Sequence, residues 1–115
     1  MAAETTIKKG DRVPALKSTL SEGTAVNFKT PVKAAGVKLR IKKEGGSPEE
    51  KTAEFVSEGE HGEVQYKWAK ADTEGTGVLN TVGVYRYEWV IEWASGETQH
   101  FPTKGFKTLE VEEEG

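Results

Sequence analysis

Tyr85, Tyr87, Trp89, Ile91 and Trp93 alternate with Arg86, Glu88, Val90 and Glu92. A period of two puts successive side chains on opposite sides of an extended chain, so this stretch reads as one long β-strand. Its inner stripe is bulky and largely aromatic. Such a stripe needs a second layer to cover it. The chain is thereby directed to a sandwich or a closed barrel.

Other segments repeat the period. Val37, Leu39 and Ile41 alternate with Lys38, Arg40 and Lys42, and Val64, Tyr66 and Trp68 alternate with Glu63, Gln65 and Lys67. Leu16, Ser18 and Leu20 share a face, and Ser21-Glu22-Gly23 turns the chain towards Val26 and Phe28. This predicts a hairpin over residues 16–28. Short strands are predicted over 6–9, 53–56 and 98–101, the last after the tight turn at Ser95-Gly96. Phe106, Leu109 and Val111 belong to a closing strand. No window of a dozen residues keeps apolar positions at helical spacing, while 13 Gly and 4 Pro divide the chain into short pieces. Residues 44–51 read as a polar loop and 69–83 as a long loop with one helical turn near its start. The expectation is an all-β, immunoglobulin-like β-sandwich of seven to nine short strands, with a small β-barrel as the alternative.

The 115 residues fit a single domain over 1–115, with an ordered part of about 6–111 and an acidic tail over 112–115. There is no cysteine, which excludes disulfides, thiolate metal sites and cysteine nucleophiles. The net charge of -3 argues against nucleic acid as a partner. No apolar run approaches the ~20 residues of a membrane helix. Residues 1–6 have no hydrophobic signal core, so a soluble protein outside the standard export route is expected.

Catalytic and metal chemistry find little support. Asp11 and Asp72 are the only aspartates, and neither opens a calcium loop. His61 and His100 could join a glutamate on zinc, but they read more simply as exposed turn and edge residues. There is no nucleophile elbow. Glu88 and Glu92 share a strand face, where exposed charges are ordinary. Gly45-Gly46 and Gly75-Thr76-Gly77 lack the Lys-Ser/Thr of a phosphate loop. No catalytic, cofactor or metal residue is assigned, and an enzyme is not expected.

Contact surfaces are better represented. Lys38, Arg40, Lys42 and Lys43 make a basic strand face that could meet phosphates or an acidic protein patch, or could be paired with glutamates across the sheet. Trp93, near a strand end, is a candidate contact residue. So are Asp72, Gly75 and Gly77 in the 69–83 loop. Trp68, Trp89 and Trp93 also raise a sugar-binding platform. Tyr85, Trp89 and Leu39 are expected in the core. Gly83-Val84-Tyr85 resembles the tyrosine corner of immunoglobulin-like sandwiches, in which the hydroxyl bonds backbone a few residues upstream.

The motifs also have an order. Ile7-Lys8-Lys9-Gly10-Asp11 opens the chain, and Leu16-Lys17-Ser18-Thr19-Leu20 follows. Val37 to Lys43, Gly62 to Trp68 and Gly83-Val84-Tyr85-Arg86-Tyr87-Glu88-Trp89 come next. Phe101-Pro102 and Gly105-Phe106 lead into the last strand. This succession resembles the N-terminal domain of the phage baseplate upper protein family, although the stretch from Asp72 to Gly83 is longer here. The resemblance implies a non-enzymatic virion structural protein of the tail or baseplate. Head decoration and a carbohydrate-binding module are the alternatives. It further implies assembly in the host cytoplasm, homo-oligomerisation, and other virion proteins as partners, with no nucleic acid or membrane.

Overall fold

The computed structural model describes residues 5–11, 15–22, 24–29, 34–43, 45–75, 77–102 and 106–113. Eleven strands follow in order among them. They are β1 (Thr5–Lys8), β2 (Leu16–Thr19), β3 (Ser21–Glu22), β4 (Thr24–Ala25), β5 (Ala34–Lys43), β6 (Glu49–Thr52), β7 (Glu54–Phe55), β8 (Glu63–Tyr66), β9 (Gly83–Trp93), β10 (Thr98–Phe101) and β11 (Lys107–Glu112). Short 3₁₀ turns occupy Val56–Gly59, Lys70–Thr73 and Val78–Asn80.

The aromatic strand β9 organises the larger sheet, whose order is β1-β11-β9-β5-β6. One flank of β9 is lined by β5 for nearly its whole length. The other flank is shared: β11 pairs with the first half of β9 and β10 with the second. All pairings in this sheet are antiparallel except β1 with β11. The smaller sheet is β2-β8-β7. The chain changes sheets at Ala53, between β6 and β7, where the Ala53 N–H donates to the Val37 carbonyl.

The two inner faces meet in one core. Leu39, Trp89, Ile91, Leu109 and Val111 from the large sheet and Val64 from the small one are fully buried. Burying each such side chain stabilises the fold by roughly 1.5–3 kcal/mol. Ser18 Oγ, on β2, accepts the indole N–H of Trp89 at 2.8 Å, so the layers are joined by a hydrogen bond as well as by packing. The architecture is an all-β sandwich, and the sheets do not close into a barrel.

Tyr85 behaves as its motif predicts. Its hydroxyl donates to the Thr81 carbonyl at 2.8 Å, and burial pushes its pKa up. Gly62 is needed for close approach. Its φ is +73°, and a Cβ there would lie 2.7 Å from the Leu20 carbonyl oxygen.

Three local expectations are corrected. Leu16–Thr19 does not pair with a return strand; it pairs with β8, and the hairpin is confined to β3 and β4. Residues 49–51, expected in a loop, belong to the edge strand β6. The 69–83 stretch holds two 3₁₀ turns where one helical turn was expected.

Candidate functional site

Cross-strand register decides what each basic residue of β5 faces. On the outer side of the large sheet, Arg40 stands between Glu50 of β6 and Glu88 of β9. Its Nε lies 4.0 Å from Glu88. Lys38 is opposite Val90 but reaches diagonally to Glu92, with Nζ 3.0 Å from the carboxylate. That hydrogen bond and charge hold the Lys38 pKa above its ordinary value. Val90 is buried although it faces outward. It lies between Lys38 and His100 in the register, whose apolar portions can shield it.

Lys42 has a different neighbour. Directly opposite it is Arg86, and beyond Arg86 is Thr108 of β11. Like charges set opposite one another across strands are destabilising. Lys42 has no ion pair among the described residues. The Arg86 guanidinium lies 4.6 Å from the centre of the Phe106 ring. Phe106 is 49% exposed, the most exposed large hydrophobic side chain among the described residues. Arg40, Lys42, Arg86, Glu88, Phe106 and Pro48 line an open cleft of about 550 Å³. It combines three cations, one carboxylate and an aromatic wall on a protein whose net charge is -3. Such a cleft can hold a small anionic group beside an apolar one.

A second polar cluster lies on the other side of the sheet. Asp72 is 1% exposed. Its Oδ2 accepts the Tyr66 hydroxyl at 2.5 Å and the Ala69 backbone N–H at 2.9 Å. Lys51 Nζ lies 3.1 Å from its Oδ1 and 3.1 Å from Glu49. Burial and then the Asp72 hydrogen bond push the Tyr66 pKa well up. For Lys51, burial pulls the pKa down, but hydrogen bonds to Glu49 and Asp72 prevail and raise it.

The expected contact residues therefore separate. Lys38, Arg40 and Lys42 share the exposed face. Asp72 is corrected from contact residue to internal fastener, because every oxygen it has is turned inward to a donor. Gly77 packs rather than contacts: a Cβ there would come within 2.5 Å of the Ala71 and Asp72 carbonyl oxygens. Gly75 is exposed, and its carbonyl accepts from Asn80. Trp93 is half in the core. It is partly buried against Phe28, with ring centres 5.7 Å apart, and its indole N–H donates to Gln99. Trp68 and Trp89 are buried, so the three tryptophans form no platform for a sugar. His61 lies in the turn before β8, and His100 lies on β10. Among the described residues no three His, Asp or Glu side chains gather as a metal site. Arg86 and Phe106 are placed by the sequence on strands but not among its contact residues. Arg86 could have been found from its place on the polar side of the β9 stripe.

No family model matches the chain, and no curated protein matches it. A solved structure does. The fold is similar to that of CopC from Methylosinus trichosporium OB3b, with a TM-score of 0.53 over 99% of this chain and 88% of that one, at 16% identity. At that identity the likeness establishes the fold. It also corrects the expected function: the whole-chain match is to a CopC and not to a virion protein. The tail, baseplate, head-decoration and carbohydrate-module assignments are withdrawn.

Proposed function

We propose that this chain is a non-catalytic recognition domain that docks an acidic group of a protein partner on the outer face of its large sheet. The reading is carried by Lys42 and Arg86, two cations set opposite each other beside the exposed Phe106 ring. A peptide carboxylate placed beside Lys42 would gain charge-assisted hydrogen bonds.

Chemical-shift mapping of the full chain tests this. An N-acetylated glutamate-containing peptide is titrated alongside its glutamine counterpart. Shifts should cluster at Arg40, Lys42, Arg86, Glu88 and Phe106 with the glutamate peptide only, and Lys42→Glu should remove them. Scattered shifts, or equal shifts with both peptides, would remove the proposal.

A further inference from the structure

A second cleft, of about 350 Å³, opens where the end of β5 and the loop after it meet the segment leading into β9. Ile41, Val78 and Tyr85 form its floor, and all three are buried. The Tyr85 hydroxyl is already committed to the Thr81 carbonyl, so Tyr85 offers the cleft its ring. Lys43, Ser47 and Glu49 form the rim, and all three are exposed.

Register explains why two charges stand over an apolar floor. Lys43 follows Ile41 by two residues and is opposite Tyr85, so it belongs to the inner side of the sheet, unlike Lys42. Its stem lies over Gly83, where a Cβ would come within 3.1 Å of Lys43 Cε. Glu49 is opposite Ile41 and shares that inner side. Lys43 and Glu49 are thus diagonal neighbours on adjacent strands, a spacing of about 7–8 Å. They do not pair with each other. Lys51 takes Glu49 at 3.1 Å but is shared with Asp72, so one cation serves two carboxylates. Lys43 makes no ion pair among the described residues. The rim therefore holds an unmatched ammonium and a carboxylate short of positive charge.

We propose that this cleft binds a free α-amino acid with an apolar side chain. The ligand carboxylate meets Lys43 and the Ser47 hydroxyl, and its ammonium meets Glu49. Its side chain covers Ile41, Val78 and Tyr85 and leaves water. A free amino acid carries both charges on one carbon and can span the two rim groups. A residue within a peptide carries neither. The volume lies at the small end of the range for ligand pockets, which suits a single amino acid. This site lies on the other side of the sheet from Arg40, Arg86 and Phe106, and it does not depend on the docking role proposed above.

Chemical-shift titration of the full chain with four probes at fixed ionic strength and neutral pH tests the proposal. L-phenylalanine has both charges and the side chain. Hydrocinnamate lacks the amine, phenethylamine lacks the carboxylate, and glycine lacks the side chain. L-phenylalanine should bind most tightly and should move Ile41, Val78, Thr81 and Tyr85. Glycine should bind at least about tenfold more weakly, as expected for an apolar side chain left in water. Lys43→Gln should weaken L-phenylalanine about fivefold, the upper range for an exposed ion pair, and should not weaken phenethylamine. Glu49→Gln should weaken L-phenylalanine and not hydrocinnamate.

Hydrocinnamate or glycine binding as tightly as L-phenylalanine overturns the proposal. So do shifts centred on Arg40, Arg86 and Phe106, or no shifts at millimolar L-phenylalanine, and in the last case the docking role still stands on its own test. The four probes need no variant, so the proposal can be refuted even if Glu49→Gln disturbs Lys51. Circular dichroism of both variants confirms that altered binding is read on folded protein.

Discussion

Asp72 and Lys42 are both charged, yet the fold uses them in opposite ways. Asp72 enters the interior, and Tyr66, Ala69 and Lys51 all aim donors or charge at it. A buried carboxylate survives only with such a set of partners. Lys42 stays in water, and the strand opposite offers it Arg86. The first arrangement satisfies every group and fastens a loop to two strands. The second keeps Lys42 in water beside another cation, where a ligand can reach it. Burial, more than residue type, separates the two: Asp72 is 1% exposed and Lys42 is exposed.

The sharpest way to break the comparison is to remove the buried anion. Asp72→Ala leaves the Tyr66 hydroxyl and the Ala69 N–H without their acceptor and Lys51 without one of its two carboxylates. A loss of about 3–5 kcal/mol is expected, as for breaking other buried ion pairs. Denaturant unfolding at neutral pH measures it. A loss under ~1 kcal/mol, the range of an exposed pair, would place Asp72 in the same class as the surface charges.

Next in size is the single hydroxyl. Tyr66→Phe keeps the ring against Trp68, with which it packs edge-on at 5.2 Å, and removes one donor from Asp72. About 1–3 kcal/mol is expected, because the acceptor stays buried. The same network carries a pH dependence. The Tyr66 pKa is raised from its ordinary 10.0 and that of Lys51 from 10.5. Each group is thus held in its protonated form by folding, and that stabilisation is present in full below about pH 10. It is lost as pH rises further and the unfolded chain releases protons that the folded chain retains. Thermal unfolding followed from pH 8 to 11 should fall in its upper third, and Tyr66→Phe should fall less steeply. A wild-type curve that is flat across this range would show that the network does not hold its protons.

How much of this was readable beforehand depends on where apolar side chains fall. β5, β8 and β9 were legible because each has an apolar face that repeats every second residue. β6 was not. Glu49, Glu50, Lys51 and Thr52 look like loop, and as an edge strand they need no apolar stripe; only Lys51 is partly withdrawn from water. Leu16–Thr19 was legible as a strand, while its partner, β8, lies more than forty residues away and leaves no local mark. Lys38, Arg40 and Lys42 were visible as a basic face. Their different fates were not, because the register of β5 on β9 decides which of them meets a glutamate and which meets Arg86. The inward turn of Asp72 likewise follows from Tyr66 and Lys51 arriving from two other strands.

The smallest expected effect has the most telling sign. Lys42→Glu replaces a like-charge pair with an opposite-charge pair across β5 and β9. Cross-strand pairs of this kind differ by a few tenths of a kcal/mol up to about 1 kcal/mol, so the variant should be more stable than the natural chain by roughly 0.5 kcal/mol. The same substitution should abolish peptide binding in the cleft. Stability and binding would then move in opposite directions at one residue, as expected where a fold carries a local cost for recognition. Paired measurement of the denaturation midpoint and of the glutamate-peptide titration reads both at once. A variant that loses stability would mean that Lys42 has a structural partner in the fold, and the contrast with Asp72 would then be one of degree.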